Sequence, residues 1–584
     1  MAKIDLDTLR HSTAHLMAQA IQELYPNDIV KLGIGPTIEN GFYYDIDMEK
    51  RIHDEDLKSI EDKMKEIIKR GDEITRHEVS REEAIQTFVE RGQEYKVELI
   101  KDLPDGEVIS YYTQGDKFID LCRGPHVETT RHIKPYFKLL HSAGAYWRGD
   151  EKRPMLQRIY AACFDDKKQL KDHLNFLEEA KKRDHRKLGK ELELFHFNPV
   201  APGSPFFEPK GAIVYNELIN FVRKIYSLFD YKEVVTPQIL DVELWKTSGH
   251  YDNYKDDMFF SKDDHREMAV KPMNCPCHML MFKAKKYSYR ELPLRFADFG
   301  RLHRNERSGT LAGLTRVRTF CQDDAHVFLA KEDIQAEVLK LLEMFQICYD
   351  HFGFQNIKIG LSTRPEKKVG DDATWDLAEE ALKAALDQSG KEYHVNEGDG
   401  AFYGPKIDIQ ISDALGRYFQ LGTVQLDFQL PERFDLKYTS KEGTDERPVV
   451  IHRALLGSLE RFFGVYLEHV AGAFPFWLAP EQIVFVPVNN DIHGEYCTNL
   501  ASKLREAGYR VRVDLSNETM GKKTRTLQKA KVPFMAVIGD KEVEANSLAL
   551  RKYGSKETNV HSLEEALTMF KELNDERFPK KLEV

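Results

Sequence analysis

The first 166 residues alternate between helical and strand-like spacing of hydrophobic positions. Apolar residues recur at helical intervals over 6–25, where Asp7 is a possible N-cap and Pro26 ends the pattern. A strand segment with several glycines follows, in which Asn40-Gly41 is typical of a hairpin turn. Further helices are predicted at 54–70 and 82–91, and strands at 108–124 and 133–147. This mixture predicts an α+β module.

Three more regions follow, each with its own pattern. Residues 167–195 are charged along most of their length and contain few turn-forming residues, so we predict one long solvated helix that connects two domains. Residues 200–480 contain many predicted strands and hairpins. Beyond Pro480, strands and helices alternate, which is typical of a small α/β domain with parallel strands.

Composition favours a folded, soluble protein. A chain of 584 residues is long enough for three or four domains, and 41% hydrophobic with 31% charged residues is ordinary for globular proteins. Seven scattered cysteines do not indicate a disulfide framework. We recognise neither a signal peptide nor an apolar run of about 20 residues that would span a membrane. We therefore expect a cytoplasmic protein with no membrane contact.

The formal net charge of −11 argues against wholesale binding to polyanions. The basic residues are nevertheless concentrated, with arginines clustered in 301–318 and lysines in 181–190 and 522–531. Net charge therefore limits non-specific association without excluding a partner that carries phosphates.

Two arginine-containing segments of the central region have the composition of phosphate-binding sites. The first consists of two extended runs around 308–310, which predicts a hairpin with Arg304 late on its first strand and Arg316 early on its second. Both guanidiniums could then reach one phosphate chain. In the second, Ser458 is a plausible N-cap of a helix whose first turn contains Arg461, and helix N-termini attract anions. A solvated arginine-rich hairpin is the weaker alternative, because these arginines alternate with apolar residues that must face a core.

Together with a junction broken by Pro237, these segments resemble motifs 1, 2 and 3 of class II aminoacyl-tRNA synthetases. A closer resemblance, to threonyl-tRNA synthetases, is carried by KPMNCPCH, HRNERSG, RVRTFCQDDAH, AFYGPKIDIQ, GTVQLDFQLP and IHRALLGSLERF, and it extends over essentially the whole chain. The resemblance implies an α+β multidomain fold. Its expected parts are an α+β editing domain at 1–166, a linker helix at 167–199, a class II catalytic domain with an antiparallel β-sheet at 200–480, and a C-terminal α/β anticodon-binding domain at 481–584.

The implied activity is that of a threonine–tRNA ligase, which uses ATP to form threonyl-adenylate and then transfers threonine to tRNA(Thr). Arg304 and Glu306 match family positions that hold the α-phosphate and adenine of ATP, whereas Arg316 and Arg461 match positions that hold the β- and γ-phosphates. Such clamping neutralises the charge that builds as pyrophosphate leaves. Mg²⁺ is expected to accompany ATP.

Two further catalytic residues follow from the resemblance. Lys406 is expected to meet the carboxylate or the phosphate as the mixed anhydride forms. His250 matches a histidine proposed to help deprotonate the terminal hydroxyl of the tRNA, although a surface histidine near the mouth of the site would look the same.

The family also has a zinc ion in its catalytic site, one per subunit. The positions that match its ligands are Cys275, His326 and His452, which lie far apart in the sequence; spacing alone would instead select the local cluster of Cys275, Cys277 and His278. Cys277 departs from the family, which usually has glycine there, and we expect a buried thiol. Zinc would bind the amino and hydroxyl groups of threonine, so that valine is rejected. The residues that match the threonine pocket are Gln322, Asp324, Tyr403 and Gln425.

Serine differs from threonine by one methyl group, a difference of roughly 1–3 kcal/mol, so a second, hydrolytic site is expected. His11 and His15 are four residues apart on one helical face, and Cys122 and His126 have the same spacing. Ser12 stands where a metalloprotease would have its catalytic glutamate, which excludes that interpretation. The segments HSTAHLMAQAI, NGFYYDI and LCRGPH resemble the editing domain of threonyl- and alanyl-tRNA synthetases, which implies hydrolysis of mischarged seryl-tRNA. The matching pocket residues are His11, His15, Lys96, Asp120, Cys122 and His126, and a merely structural buried polar cluster is the alternative.

The remaining expectations concern partners. In the C-terminal domain Glu544 and Arg551 match positions that contact anticodon bases. The lysine-rich helix nearby is equally consistent with attraction of phosphates and with an ordinary solvated face. Motif 1, with Pro237, implies a homodimer. Bacterial family members often begin with a further small β-rich domain, and because the sequence starts at the editing helix we expect that domain to be absent here. A catalytically inactive synthetase-like RNA-binding or regulatory protein is the alternative function, and a stand-alone deacylase would not account for residues 200–480.

Overall fold

The computed structural model describes residues 4–262 and 265–578, so the outermost residues of the predicted first and last domains lie outside it. The chain divides into two compact units, Met1–Glu179 and Ala180–Val584, which are described separately.

The first unit is α+β, as predicted. Its helices are α1 (Leu6–Leu24), α2 (Leu57–Arg70), α3 (Arg81–Glu90) and α4 (Glu94–Asp102), and α5 (Lys167–Arg183) begins at its end. Its strands are β1 (Lys31–Leu32), β2 (Thr37–Ile38), β3 (Gly41–Asp47), β4 (Ile74–Val79), β5 (Ile109–Gln114), β6 (Phe118–Leu121), β7 (Phe137–Tyr146) and β8 (Met155–Cys163). One antiparallel sheet has the order β1-β3-β8-β7, with β2 beside β3, and a second has the order β4-β5-β6. The apolar faces of α1 and α2 pack with the first sheet in one core.

Two local details of this unit differ from the prediction. The N-cap of α1 is Asp5, whose side chain accepts the N–H of Thr8, so Asp7 lies in the first turn instead. The β2–β3 hairpin turns at Glu39-Asn40, one residue before the predicted pair, because Ile38 is paired with Gly41.

The predicted single helix at 167–195 is wrong. It is two helices, α5 and α6 (His185–Glu191), separated at Asp184, which caps α6 by accepting the N–H of Arg186. Helix α5 buries none of its residues, as expected of a solvated connector, whereas α6 buries His185 and Leu188.

Most of the second unit, up to His469, is built on one large sheet. Its further helices are α7 (Pro209–Leu228), α8 (Val242–Ser248), α9 (His250–Tyr254), α10 (Cys275–Lys283), α11 (Ile334–His351), α12 (Asp372–Ser389), α13 (Gln429–Arg433) and α14 (Leu459–His469). Its strands are β9 (Phe195–Phe197), β10 (Pro205–Phe207), β11 (Lys232–Glu233), β12 (Ile239–Asp241), β13 (Phe260–Lys262), β14 (Glu267–Val270), β15 (Tyr287–Ser288), β16 (Leu294–Asp298), β17 (Arg301–His303), β18 (Thr319–Leu329), β19 (Ile357–Ser362), β20 (Tyr393–Asn396), β21 (Lys406–Ser412), β22 (Tyr418–Asp427), β23 (Tyr438–Thr439), β24 (Asp445–Glu446) and β25 (Val449–Ser458).

The large sheet has the order β11-β16-β18-β25-β22-β21-β19-β20, with β17 also beside β18. It is antiparallel from β16 to β19 and parallel only at its two edges, which confirms the predicted antiparallel core. Side chains of α7, α11, α12 and α14 cover one face of this sheet in a continuous apolar core. Burial of that face leaves the opposite face of the central strands available for polar residues.

The C-terminal part contains α15 (Asn490–Glu506), α16 (Met520–Lys529), α17 (Asp540–Glu544) and α18 (Leu563–Asp575). Its strands are β26 (Ile483–Pro487), β27 (Val511–Val513), β28 (Phe534–Ile538), β29 (Ser547–Lys552) and β30 (Asn559–Ser562), in the order β27-β26-β28-β29-β30. The first three are parallel, as predicted, and the last two add an antiparallel edge. Within the described residues, no helix is both long and apolar enough to cross a membrane.

Candidate active site and hydrolytic pocket

A row of polar side chains crosses the centre of the large sheet. His326 on β18 is the cross-strand partner of His452 on β25, which is in turn the partner of Gln425 on β22. Gln425 is the partner of Lys406 on β21. Directly opposed residues have Cβ atoms about 4.5–5.5 Å apart, so the register brings four distant parts of the sequence into one line.

Cys275 completes a cluster with the first two members of this row. One ligand atom from each of Cys275, His326 and His452 lies within 4.8 Å of the others, and all three residues are buried. His326 Nε2 and His452 Nδ1 are 2.9 Å apart. The local alternative is not formed, because neither Cys277 nor His278 belongs to this group among the described residues. Cys277 is buried, as expected.

The donor set fits zinc. Zinc binds cysteine sulfur and histidine nitrogen, and three protein ligands with one open position are typical of its catalytic sites. Burial raises the pKa of the Cys275 thiol well above its ordinary value and lowers that of His326 well below its own. The histidine is therefore neutral, the form that binds a metal, whereas a bound cation would have to stabilise the thiolate.

Three of the four residues predicted to bind threonine, namely Asp324, Tyr403 and Gln425, lie beside this cluster. Asp324 is two residues from His326, so both side chains emerge on the same face of β18, and its Oδ2 accepts a 3.2 Å hydrogen bond from Asn274 Nδ2. Burial raises the pKa of Asp324. Tyr403 donates its hydroxyl hydrogen to Gln425 Oε1 at 2.9 Å, and its ring centroid is 5.5 Å from that of His452. Gln322 lies opposite Ser458.

The predicted arginine hairpin forms, but both of its arginines lie in the loop rather than on the strands. Arg304 follows β17 and Arg316 precedes β18, and the loop between them contains two short 3-10 turns. The Arg304 N–H donates to the carbonyl of Arg318 at 2.8 Å, which closes the hairpin. Arg316 Nη2 is 2.9 Å from Glu306 Oε2 and remains exposed.

Arg461 approaches the same loop from helix α14. Ser458 is the N-cap of α14, as predicted, and accepts the N–H of Arg461 at 3.2 Å. The Arg461 guanidinium donates to the carbonyls of Thr315 and Gln420. Burial, and then the charge of Arg316, lower its pKa. Two guanidiniums that feel each other's charge beside a helix N-terminus favour an anionic ligand.

Lys406 and His250 occupy different environments. Lys406 Nζ lies 2.8 Å from Asp408 Oδ2 and 3.7 Å from Asp399 Oδ2, so it is held by carboxylates of the protein. His250 is 1% exposed, which contradicts the surface-histidine alternative. Its Nδ1 lies 2.8 Å from Ser248 Oγ and its Nε2 lies 3.7 Å from Cys275 Sγ. Burial lowers the pKa of His250 to about 3, so the ring is neutral near pH 7.

A buried ion pair that sequence reasoning missed supports this site from behind. Both oxygens of Asp323 accept backbone N–H groups of Leu455 and Leu456, and Oδ1 also accepts that of Gly457. Arg453 Nη1 lies 3.4 Å from Asp323 Oδ2, and both side chains are fully buried. These bonds hold the end of β25 against the irregularity in the β18–β25 register between Gln322 and Asp324.

The first unit contains a second cluster of ligand-type side chains. One atom from each of His11, His15, Cys122 and His126 lies within 4.8 Å of the others. Cys122 Sγ is 3.2 Å from His11 Nε2 and equally far from His126 Nε2. Burial raises the pKa of Cys122 to about 12 and lowers those of the three histidines, so all four side chains are neutral near pH 7.

Asp120 is the charged centre beside this cluster. Its Oδ1 is 2.6 Å from Lys96 Nζ, and its Oδ2 is 3.2 Å from His15 Nε2. Tyr44, which was not among the predicted pocket residues, donates its hydroxyl to Asp120 and also receives Lys96 Nζ at 3.3 Å. Ser12 donates to the carbonyl of Thr8 at 2.8 Å, so its oxygen accepts from His126 Nδ1 at 3.1 Å. Both residues lie within segments that carried the family resemblance.

The C-terminal candidates are less distinctive. Glu544 is an exposed residue at the end of α17, and Arg551 Nε donates to the carbonyl of Ser555 at 3.0 Å. On the lysine-rich helix α16, Lys523 is buried and donates to the carbonyl of Asp514, whereas Lys522 is paired with Glu518. The face of α16 is therefore only partly solvated.

Three family models match separate parts of the chain. The class II core domain of tRNA synthetases (G, H, P, S and T) matches residues 254–470, and an anticodon-binding domain matches 482–573. The second additional domain of threonyl and alanyl tRNA synthetases matches 109–160.

Similar curated proteins cover nearly the whole chain. A threonine–tRNA ligase of Carboxydothermus hydrogenoformans is 52% identical over 94% of this chain and 86% of its own length. Threonine–tRNA ligase 2 of Bacillus subtilis is 50% identical over 95% of this chain and 86% of its own length. Among solved structures, the RNA-binding domain of threonyl-tRNA synthetase from Cryptosporidium parvum aligns with a TM-score of 0.66 and 46% identity, over 68% of this chain and 99% of that one. A Giardia lamblia prolyl-tRNA synthetase, at 17% identity and a TM-score of 0.53 over 68% and 82% of the two chains, shares the fold.

Proposed function

We infer function from family membership, because this chain belongs to the threonine–tRNA ligases, which are class II aminoacyl-tRNA synthetases. The reaction has two steps. Threonine and ATP give threonyl-adenylate and pyrophosphate, and the threonyl group then passes to tRNA with release of AMP. The observation that carries this function is the cross-strand row that joins His326, His452 and Gln425 beside Cys275.

We propose zinc, one ion per subunit, as the metal that Cys275, His326 and His452 hold. In this position zinc would supply an open coordination site for the amino and hydroxyl groups of threonine, and valine has no hydroxyl group to bind there. Asp324 would accept a hydrogen bond from the amino group of threonine, and Gln322, Tyr403 and Gln425 would complete the lining of the pocket.

ATP is proposed to bind between the loop that joins β17 to β18 and the start of α14. Arg304 and Glu306 would hold the α-phosphate and adenine, while Arg316 and Arg461 hold the β- and γ-phosphates, with Mg²⁺ carried by the nucleotide. The mutual proximity of Arg316 and Arg461 supports this assignment. Fixed guanidiniums stabilise the charge on departing pyrophosphate, because they need no reorganisation at the moment of reaction. Lys406 would shift from Asp408 towards the carboxylate of threonine or the phosphate.

His250 is proposed to assist transfer to tRNA. Ser248 donates its hydroxyl hydrogen to the carbonyl of Trp245, so its oxygen accepts from His250 Nδ1. The proton therefore sits on Nδ1, and Nε2 keeps a lone pair that could accept a hydrogen bond from the terminal hydroxyl of the tRNA.

The first unit is proposed to hydrolyse mischarged seryl-tRNA. Its pocket consists of His11, His15, Lys96, Asp120, Cys122 and His126. The neutral histidines and the single charged centre at Lys96–Asp120 favour orienting a water molecule over forming a strong nucleophile in the protein. Tyr44 belongs to the same hydrogen-bonded group.

The remaining proposals concern organisation. We propose domain limits of 1–166, 167–199, 200–480 and 481–584, recognition of anticodon bases of tRNA(Thr) by Glu544 and Arg551, a homodimer formed through motif 1, and a cytoplasmic location. An inactive RNA-binding or regulatory protein is not favoured, because such a protein has no need to retain both the metal ligands and the ATP arginines.

Substitution Cys275→Ala tests the metal assignment. It removes the one thiolate ligand, so bound zinc and threonine-dependent ATP–pyrophosphate exchange should both be lost. Cys497→Ala is the control, because it removes a buried thiol of α15 in the C-terminal part and should leave both quantities unchanged. Full zinc content together with full exchange in Cys275→Ala would remove the basis for the assignment.

A further inference from the structure

We propose that Asp427, and the pair of His278 and Asp298, are positioning residues that fix the tautomers of the two histidine ligands. This inference deepens the zinc site proposed above and rests on it. Metal-binding histidines usually donate their second N–H to an acceptor that sets the ring orientation and leaves the other nitrogen free for the metal. The structure offers a different acceptor chain for each of the two rings.

Asp427 determines the state of His452. Its Oδ2 lies 2.8 Å from His452 Nε2, and the side chains are 0% and 8% exposed. A carboxylate can only accept, so the proton sits on Nε2 and Nδ1 keeps its lone pair. The other oxygen, Oδ1, accepts the backbone N–H groups of Gln429 at 2.7 Å and Leu430 at 3.0 Å, at the start of α13. The carboxylate is therefore held in one orientation.

The tautomer of His326 depends on a longer series of hydrogen-bonded side chains. Its Nδ1 lies 2.7 Å from His278 Nδ1, so one of these nitrogens donates to the other. His278 is fully buried, and its Nε2 has no hydrogen-bond partner but lies 3.8 Å from Asp298 Oδ2. The negative charge of Asp298 favours a proton on that nitrogen, which makes His278 Nδ1 the acceptor. His326 then donates from Nδ1, and its Nε2 is free.

Asp298 is itself anchored. Its Oδ2 accepts the hydroxyl hydrogen of Thr236 at 2.7 Å, and the Thr236 oxygen accepts from Lys271 Nζ at 2.8 Å. Lys271 Nζ also lies 3.6 Å from Asp298 Oδ2, with the lysine side chain fully buried. A lysine cannot accept a hydrogen bond, so Lys271 donates to Thr236 and Thr236 donates to Asp298.

The two series of hydrogen-bonded side chains meet at His326 and His452. They leave the lone pairs of His326 Nε2 and His452 Nδ1 facing each other across 2.9 Å. Two acceptors this close repel unless a cation lies at their junction. Asp427, His278 and Asp298 therefore hold both imidazole rings in the tautomers that bind a metal ion. This preorganisation should raise the affinity for the metal.

Asp427→Asn and Asp427→Ala separate this role from simple packing. In Asp427→Asn the amide oxygen must stay on the backbone N–H groups of Gln429 and Leu430, so the amide NH₂ faces His452 Nε2 and imposes the wrong tautomer. Asp427→Ala leaves the ring free to adopt either tautomer but loses those backbone contacts. We expect zinc affinity, measured by chelator competition, to fall about 10–100-fold in Asp427→Ala and further in Asp427→Asn. The melting temperature should show the opposite order, with Asp427→Asn more stable than Asp427→Ala, because the asparagine keeps the backbone hydrogen bonds.

A second pair of variants tests the His278 chain. Asn places its amide oxygen near the position of a histidine Nδ1, so His278→Asn can still accept from His326, whereas His278→Leu cannot. We expect His278→Leu to weaken zinc binding and His278→Asn to restore most of it. Met279→Ala, in the neighbouring buried position of α10, is the control for lost packing and should keep wild-type zinc affinity.

The outcomes distinguish this inference from the function on which it rests. If the wild-type protein holds no zinc, the metal assignment itself fails. If the wild-type protein holds zinc and Asp427→Asn binds it at least as tightly as Asp427→Ala, the tautomer role is overturned. If an Asp427 variant does not fold, equal zinc affinity in His278→Leu and His278→Asn would overturn the role instead.

Discussion

Asp323 illustrates how one buried side chain supports a site that it does not enter. It lies between Gln322 and Asp324, which are proposed to line the threonine pocket, yet its own carboxylate accepts hydrogen bonds from the backbone at the end of β25. Burial raises the pKa of Asp323, while Arg453 and the backbone N–H groups oppose that shift. Arg453 stacks over Tyr226 and Tyr231 and is fully buried, so its guanidinium charge is stabilised by the carboxylate of Asp323.

We expect Asp323→Ala to be strongly destabilising, by about 3–5 kcal/mol, because it leaves Arg453 charged and unpaired in the core. Chemical denaturation at equilibrium measures this free energy of unfolding. Glu343→Ala, at an exposed position of α11, is the control and should change stability by no more than about 0.5 kcal/mol. A loss below about 1 kcal/mol in Asp323→Ala would contradict the structural role given to the pair.

At the scale of elements, periodicity and cap chemistry predict which helices and strands exist better than they predict the residues at which each begins and ends. Helix α1, the hairpin before β3, and the N-cap at Ser458 were all predicted, with errors of one or two residues at Asp5 and at the turn. The break at Asp184 was missed because the residues on both sides are charged and favour a helix, so a single capping residue between them does not stand out in the sequence. The burial of His185 and Leu188 in α6 shows that tertiary packing determined this break.

The site itself could be predicted only in part. The family motifs contain Cys275, His326 and His452, but nothing in their spacing indicates that β18 and β25 pair with His326 opposite His452. Register between strands far apart in sequence depends on the whole sheet, and local pattern does not specify it. For the same reason Asp427 and Asp298 were missed, although Asp427 lies within the motif GTVQLDFQLP and Asp298 lies shortly before HRNERSG.

On the scale of the whole molecule, the two proposed chemistries lie in separate compact units. The metal-type cluster of three residues lies in the second unit, and the cluster around Cys122 lies in the first. Each has its own core and its own hydrogen-bonded surroundings. Damage to one site should therefore leave the other chemistry intact.

Combining His11→Ala with His15→Ala tests this independence. Loss of both rings should lower hydrolysis of seryl-tRNA at least 10²-fold, the order of a lost proton-transfer or water-orienting group, while threonine activation and zinc content stay unchanged. Deacylation of purified seryl-tRNA(Thr) measures the first quantity. His53→Ala, an exposed histidine of the same unit, is the control. Unaltered hydrolysis in the double variant would count decisively against this pocket.

The central claim is that the second unit activates threonine and selects it by its hydroxyl group. ATP–pyrophosphate exchange by the wild-type protein with threonine, serine and valine tests it most directly. We predict strong exchange with threonine, exchange with serine that is lower by about 10–200-fold in kcat/KM, and rejection of valine by about 10⁴-fold or more, because valine leaves the polar groups of the pocket unpaired. Exchange with valine equal to that with serine would contradict selection by the hydroxyl group, and no exchange with any of the three would favour the inactive RNA-binding alternative.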